Sequence, residues 1–213
     1  MPDQRDMPIR ILIVDDHPVV VAGLTSMLGT QAGIEILGSA SSGEEALEML
    51  RIKPADLLLL DLRMPGMSGI DTLHALKRTR INTRVLILTS YETDEDIYRA
   101  VQAGAQGYLL KDTPQSDMIE AIRAVHGGKR YFPRHIAAQL AERMMRTNLT
   151  AREIEVLYML ARGLTNKEIG RALDISSNTA HNHVSSIIEK LEVSDRTEAA
   201  TTAIHRGIID VNN

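Results

Sequence analysis

The sequence predicts two domains: an α/β domain built on a doubly wound, five-stranded parallel sheet, and a small all-α domain after it. The chain has 213 residues, 44% of them apolar, which suits one large or two small domains. Short apolar runs alternate with amphipathic helical patterns through the first 127 residues, and after residue 148 only helical patterns remain. Strands that alternate with helices form parallel sheets with right-handed crossovers.

Apolar periodicity predicts each element of the first domain. Three of the five apolar runs contain no polar residue, which is typical of strands that helices cover on both faces. The predicted strands cover residues 11–14, 34–37, 57–60, 85–88 and 108–110. The stretches between them predict helices at about 18–29, 43–52, 69–79, 94–103 and 115–126. We expect this domain to span residues 8–127.

A linker and the all-α domain follow. Gly127 and Gly128 end the fifth helix. We interpret residues 128–147 as a linker that is partly helical, because 134–146 has helical composition. The all-α domain then covers 148–213.

Helix ends are well marked in the all-α domain. Thr150, Thr165 and Asp195 each stand three residues before a glutamate, the spacing of a helix capping box or a close analogue of it. Gly163 and Gly207 stand where helices should end. These signals predict several short helices joined by tight turns.

Composition narrows the class of protein. The absence of cysteine excludes disulfides and cysteine-ligated zinc. The first seven residues lack the apolar core of a signal peptide, and no apolar run is long enough to span a bilayer. We therefore expect a soluble, cytoplasmic protein with no membrane partner. The net charge of −4 divides into −4 for residues 1–130, +2 for 131–147 and −2 for 148–213.

Polar side chains follow the predicted strands at one edge of the sheet. Asp15 and Asp16 follow the first strand, Asp61 the third and Lys111 the fifth, while Thr89 ends the fourth. Ligands bind at this edge of an open α/β sheet. Three converging carboxylates repel one another unless a cation intervenes, and oxygen-only ligands suit Mg²⁺. A metal beside a carboxylate also suits phosphoryl transfer, with Lys111 and the Thr89 hydroxyl binding the remaining phosphoryl oxygens.

Each of these residues also has a plainer interpretation when it is taken singly. Paired aspartates after a strand are often only helix N-caps, and a single lysine such as Lys111 is usually solvated. Tyr108 alone would be a packing residue of the last strand. The functional interpretation depends on their occurrence together.

The N-terminal segments ILIVDDH (11–17), LLDLRMPGMSG (59–69), LTS (88–90) and GYLLKD (107–112) resemble the receiver domain of response regulators. The resemblance covers about residues 8–127 and implies a flavodoxin-like sheet of order 2-1-3-4-5. It implies that Asp61 accepts a phosphoryl group from a sensor histidine kinase. Mg²⁺ would be held by Asp16, Asp61 and the backbone carbonyl of Arg63, with Asp15 acting largely through water. Thr89 and Tyr108 would form the switch pair.

The all-α domain contains the pattern of a helix-turn-helix. One helix opens at Thr165, and after a short turn the next runs from Ser177 to Lys190. Apolar residues of the second helix recur at the spacing of one buried stripe, which leaves polar side chains on the opposite side near its N-terminus. Such positions meet base edges in the major groove. A turn between two short helices is also common in all-α domains that do not bind DNA.

Segments 149–157, 163–169, 179–184 and 191–199 resemble the NarL/LuxR-type DNA-binding domain. The resemblance implies that 177–190 is the recognition helix and that the active protein is a homodimer bound to double-stranded DNA, with RNA polymerase as a further partner to consider. We expect dimerisation through the small residues Ala199, Ala200 and Ala203 of the last helix. The residues expected at the DNA are Thr165, Asn166, Lys167, Asn178, Thr179, His181, Asn182, His183 and Ser185.

The sequence departs from the family pattern on the recognition helix. Position 181, commonly Lys or Arg, is His181, and position 180, commonly Val, is Ala180. Together with the −2 charge of this domain, the departure predicts a weak dependence of DNA affinity on salt. Protonated His181 or His183 could add positive charge.

Three functional hypotheses follow. The first is a phosphorylation-gated transcription regulator that is no enzyme beyond its own phosphoryl transfer and dephosphorylation. The second is a phosphorylation-independent DNA binder with a degenerate receiver, against which the intact set Asp16, Asp61, Thr89 and Lys111 argues. The third is a metal-dependent phosphohydrolase, which would leave the helix-turn-helix unexplained.

Overall fold

A computed structural model describes residues 7–90, 93–146 and 148–209. The end of the predicted linker at 147 and the end of the predicted all-α domain at 210–213 lie outside the described residues, as do residues 91–92 within the first predicted domain. By contacts, the chain divides into two compact units, Met1–Glu92 with Asp96–Ala137 and Thr93–Glu95 with Ala138–Asn213. No helix among the described residues is both long and apolar enough to cross a membrane.

The first unit contains a five-stranded sheet in the order β2-β1-β3-β4-β5, and every pair of neighbouring strands is parallel. This confirms the predicted fold class. The strands are β1 (Ile9–Val14), β2 (Ile34–Ala40), β3 (Leu57–Leu60), β4 (Arg84–Thr89) and β5 (Gly107–Leu110). Four leucines form the whole of β3, and all are buried, because helices cover both faces of this central strand.

Helices follow each strand and continue through the second unit. The first five are α1 (Pro18–Gly29), α2 (Gly43–Ile52), α3 (Gly69–Thr79), α4 (Asp94–Ala103) and α5 (Gln115–His126). The others are α6 (Arg134–Met145), α7 (Ala151–Ala161), α8 (Asn166–Ala172), α9 (Ser177–Leu191) and α10 (Arg196–His205). Capping boxes at Thr150 and Thr165 begin α7 and α8, as their spacing predicts. At Asp195 the side chain accepts hydrogen bonds from two backbone N–H groups of α10.

The expected linker is tied into regular structure. The backbone of Tyr131 pairs with the outer edge of β5: its carbonyl accepts from the N–H of Tyr108 at 3.1 Å, and its N–H donates to the carbonyl of Gln106 at 3.0 Å. The half-buried Tyr131 ring packs on the core of the sheet. The rest of the segment is mostly α6, and the division between the two units falls inside this helix.

The helices of the second unit share one apolar core. Its members come from α7, α8, α9, α10 and the segment after α10, and they include Leu157, Ile169, Ile187 and Ala203, all fully buried. The predicted apolar stripe of α9 faces this core, since Val184, Ile187 and Leu191 are buried. The polar side of α9 is thereby left exposed.

Candidate functional site

The strand register brings the predicted phosphoacceptor residues to one edge of the sheet. Val14 and Leu60 are paired at the ends of β1 and β3, so the residues that follow them are neighbours. The N–H of Asp61 donates to the carbonyl of Val14 at 2.9 Å, and the N–H of Lys111 donates to the carbonyl of Thr89 at 2.9 Å. Parallel strands that end together place the side chains after β1, β3, β4 and β5 around one pocket.

Lys111 bridges two of the carboxylates. Its Nζ lies 2.6 Å from Asp15 Oδ2 and 2.6 Å from Asp61 Oδ2, and both carboxylates are almost fully buried. Burial opposes the charged ammonium, but its hydrogen bonds to Asp15 and Asp61 and the negative charges of these carboxylates outweigh burial and raise the pKa of Lys111. Lys111 is therefore a permanent cation at neutral pH, placed beside an acidic group.

The remaining carboxylate oxygens form a cluster that is compatible with a divalent cation. Ligand atoms of Asp15, Asp16, His17 and Asp61 lie within 4.8 Å of one another. Asp16 Oδ1 is buried and accepts no hydrogen bond within the described part of the chain. A buried carboxylate oxygen without a donor is costly, and a cation would satisfy it. His17 stands next to the aspartate pair and adds a nitrogen donor to a site for which the sequence predicts oxygen ligands alone.

The loop after β3 holds the acceptor in place. A Cβ at Gly69 would lie 2.3 Å from the backbone carbonyl oxygen of Asp61, so only glycine permits this close approach. Ser68 and Asp71 form a capping box that begins α3 directly after the loop. The N–H of Arg63 points towards Asp61 Oδ1 at 3.4 Å. A contact between the Arg63 carbonyl and a metal stays a prediction.

Both residues of the expected switch pair lie inside the unit. Thr89 and Tyr108 are fully buried, Thr89 at the end of β4 and Tyr108 within β5. A cavity of about 400 Å³ opens beside them and is lined by Ser90, Leu110, Lys111 and Asp112. The Tyr108 ring is thus turned inward. The backbone N–H of Tyr108 is the group that donates to the carbonyl of Tyr131 in the linker.

The second unit presents the predicted nucleic-acid surface. The turn between α8 and α9 contains Asp174 in the left-handed conformation, and Ser176 caps α9. Asn166 and His183 are half-buried. The other residues expected at DNA are exposed, namely Thr165, Lys167, Asn178, Thr179, His181, Asn182 and Ser185.

Local hydrogen bonds already use some of these polar groups. The Thr165 hydroxyl donates to Glu168 in the capping box of α8, and the Thr179 hydroxyl lies 2.8 Å from that of Ser176. Asn166 Nδ2 lies 3.4 Å from His181 Nδ1, so α8 and α9 meet through two of the predicted contact residues. Among the described residues, the side chains of Asn178, Asn182 and Ser185 make no hydrogen bond, so they are open to a partner.

A buried carboxylate of α7 anchors α9. Glu153 of α7 is 4% exposed and accepts hydrogen bonds from Lys190 Nζ at 2.7 and 2.8 Å and from Ser186 Oγ at 2.7 Å. Burial alone would raise its pKa, but the bonds from Lys190, the Thr150 N–H and Ser186 outweigh burial and lower the pKa of Glu153 to about 2. From its spacing, Glu153 is predicted only as a capping residue, and its contact with α9 is visible only in the structure.

Two of the alanines expected at a dimer surface on α10 pack inside their own unit. Ala199 and Ala203 are fully buried in the core of their own unit, and Ala200 is half-buried against it. Small side chains on this helix permit close packing within the domain, which uses Ala199 and Ala203; dimerisation through α10 stays a prediction. The exposed face of α10 instead carries Thr197, Glu198, Thr201, Ile204 and His205.

Few cations of the second unit are free to meet a polyanion. Of the seven Lys and Arg residues after position 148, four are used internally. Lys190 binds Glu153, and three arginines donate to backbone carbonyls, Arg152 to Leu173, Arg196 to Leu164 and Arg206 to Leu191. The three others are exposed: Arg162, Lys167 and Arg171.

Two family models match the chain. The response regulator receiver domain matches residues 11–123, and the bacterial regulatory proteins of the luxR family match residues 147–203. The first match lies inside the range expected for the receiver domain, and the second begins one residue before the expected all-α domain.

Known proteins resemble the chain over nearly its full length. Response regulator protein VraR of Staphylococcus saprophyticus subsp. saprophyticus is 39% identical over 208 residues, which cover 95% of this chain and all of VraR. A crystal structure of response regulator ChrA, from a heme-sensing two-component system, is 41% identical with a TM-score of 0.57 and covers 95% of this chain and 99% of ChrA. The RcsB–DNA complex is 25% identical with a TM-score of 0.71 and covers 93% and 98%.

Both family models match, with the receiver domain first, and the relatives align with this chain over nearly its full length. Together these matches define the class of protein. The chain belongs to the two-component response regulators that join a receiver domain to a LuxR-type DNA-binding domain.

Proposed function

We propose that Asp61 is the phosphoacceptor and that its phosphorylation controls DNA binding by the LuxR-type domain. The observation that carries the proposal is the pocket itself: a buried Asp61 carboxylate, 2.6 Å from a cationic Lys111 and inside a cluster of metal-ligating atoms. The plainer interpretations, N-caps and a solvated lysine, do not account for this convergence. The same convergence argues against a degenerate receiver.

The transfer itself is a simple displacement. An oxygen of the Asp61 carboxylate attacks the phosphorus of a phosphohistidine on the sensor kinase, a P–O bond forms, and the P–N bond breaks with its electron pair returning to the imidazole. Asp15, Asp16, Asp61 and the Arg63 carbonyl would hold Mg²⁺, which neutralises charge on the phosphoryl oxygens. Lys111 and the Thr89 hydroxyl would bind the other oxygens. The only reactions we propose for the protein are this transfer and hydrolysis of its own acyl phosphate.

Control of DNA binding would work as a shift between two receiver states. The phosphoryl group stabilises whichever state gives it better contacts, here the one with Thr89 drawn towards it and Tyr108 inward, the position that the Tyr108 ring already has in the described structure. The active form would be a homodimer on double-stranded DNA, with Asn178, Asn182 and Ser185 at base edges. DNA binding is supported by the related RcsB, which has been solved in complex with DNA. Contact with RNA polymerase would then follow from binding at a promoter.

The test of the acceptor is intact mass after incubation with Mg²⁺ and acetyl phosphate, followed by size exclusion. Wild type should gain one phosphoryl group, and Asp61→Asn should gain none. Asp117→Asn is the matched control, because Asp117 is an exposed aspartate of the same unit, outside the pocket. Equal labelling of wild type and Asp61→Asn would refute the assignment. No labelling of wild type would favour phosphorylation-independent DNA binding.

The test of the DNA surface uses sites selected from a random duplex library. Asn178→Ala and Asn182→Ala should each weaken binding to the selected site by about 1–3 kcal/mol and relax the choice of base. Thr197→Ala, on an exposed part of α10, is the control and should bind like wild type. Unchanged affinity and selectivity in both asparagine variants would remove α9 from the recognition surface.

A further inference from the structure

The pocket contains a nitrogen donor among its carboxylates, and this donor changes which metal the pocket should prefer. His17 Nδ1 lies 2.9 Å from Asp16 Oδ1 and 3.1 Å from Asp15 Oδ1. Neighbouring ligands of an octahedral ion with bonds of about 2.1 Å stand about 3 Å apart. The imidazole nitrogen is therefore spaced from both carboxylate oxygens as an adjacent ligand would be.

Among the described residues, the His17 side chain makes polar contacts with Asp15 and Asp16 of the pocket and with no other element. His17 occupies the N-cap position of α1, but it makes no side-chain capping bond, and Pro18 begins the helix without a donor. The imidazole is 62% exposed, so water and ions reach it. Asp16 Oδ1, its close neighbour, is the buried oxygen that accepts no hydrogen bond among the residues described. A nitrogen that contacts the two aspartates and an oxygen that accepts no hydrogen bond thus meet at one point.

Lys111 does not occupy that point. Lys111 Nζ contacts the Oδ2 atoms of Asp15 and Asp61, whereas the contacts of His17 are with the Oδ1 atoms of Asp15 and Asp16. The lysine thus neutralises one set of oxygens and leaves another set beside the imidazole. A cation bound there would not have to displace the lysine from its partners.

We propose that His17 is a nitrogen ligand of this metal site and that the receiver pocket binds first-row transition ions such as Co²⁺, Ni²⁺ or Zn²⁺ more tightly than Mg²⁺. Imidazole suits these ions, whereas Mg²⁺ prefers carboxylate, carbonyl and water oxygens. The inference rests on the proposed metal site at Asp16 and Asp61 and extends it by one ligand. The identity of the ion would then affect occupancy of the phosphoacceptor pocket.

The test is calorimetric titration of the full-length protein with CoCl₂ and, separately, with MgCl₂. The variants are His17→Ala, Asp16→Asn and His74→Ala, the last as a control because His74 is an exposed histidine of α3 outside the cluster. Wild type and His74→Ala should bind Co²⁺ at least tenfold more tightly than His17→Ala does, while Mg²⁺ affinity changes less than twofold. Proton NMR of the Co²⁺ form should show strongly shifted signals from imidazole ring protons. These signals should be absent in His17→Ala and Asp16→Asn and present in His74→Ala.

The outcomes separate this inference from the proposed function. If His17→Ala binds Co²⁺ like wild type and keeps the shifted signals, the inference is wrong, while Mg²⁺ binding that disappears in Asp16→Asn leaves the proposed metal site standing. If neither ion depends on Asp16, both the metal site and its extension are refuted. Circular dichroism of each variant checks that the fold is retained.

Discussion

Removing the charge of Glu153 should destabilise the DNA-binding unit by several kilocalories per mole. Glu153→Gln keeps the size of the side chain but deprives Lys190 of its anionic partner. The pKa of Glu153 falls from 4.5 to about 2 in the folded protein, which corresponds to about 3 kcal/mol of stability at neutral pH. An exposed ion pair contributes much less, about 0–1 kcal/mol.

The pH dependence gives the prediction its sign. Because the folded-state pKa of Glu153 is lowered, its contribution is fully present above the unfolded pKa of about 4.5 and is lost as the pH falls towards 2. At pH 3 roughly half of the stability that Glu153 contributes should remain, about 1.4 kcal/mol. The difference in stability between wild type and Glu153→Gln should therefore shrink on acidification.

Hydrogen exchange of the full-length protein, followed by mass spectrometry, measures this locally. Amides of α7 and α9 should exchange roughly 100-fold faster in Glu153→Gln at neutral pH, since about 3 kcal/mol corresponds to that factor. Glu155→Gln is the matched control, because Glu155 lies on the same helix in an exposed pair with Arg152. If both variants exchange alike, or if the difference does not change with pH, the electrostatic reasoning is refuted.

Three further predictions concern the pocket and the DNA surface. Gly69→Ala should slow phosphorylation of Asp61 by acetyl phosphate with the fold retained, because the new Cβ meets the Asp61 backbone; Gly23→Ala, which meets nothing within 4 Å, should label like wild type. In a plot of the logarithm of the DNA association constant against the logarithm of salt concentration, the slope should be no steeper than about −5 for a dimer. Each of the three exposed cations in each copy can neutralise one phosphate, and each phosphate contributes about −0.9 to the slope. A much steeper slope would show that other cations bind DNA. Thr150→Ala removes the N-cap side chain of α7 and should lower the free energy of opening of this helix, measured by hydrogen exchange, by about 1 kcal/mol. Unchanged exchange of the α7 amides would mean that the cap is unimportant.

The sequence by itself determined the order of the elements and the position of the acidic pocket. The apolar runs predicted all five strands, and the helices of both units begin and end close to where caps and glycines indicated. Convergence of Asp15, Asp61 and Lys111 followed from the parallel topology alone, because residues after neighbouring strands must meet at one edge.

Only the tertiary structure decided which side chains face inward and which partners they take. Helix α10 is rich in alanine and threonine, so its sequence has little apolar periodicity, and packing alone shows that Ala199 and Ala203 belong to the core. The pairing of Tyr131 with β5 and the approach of His17 to two aspartates depend on loop geometry, which spacing does not specify. The same holds for the bonds between Lys190 and Glu153, 37 positions apart in sequence, because such contacts arise only when whole helices dock.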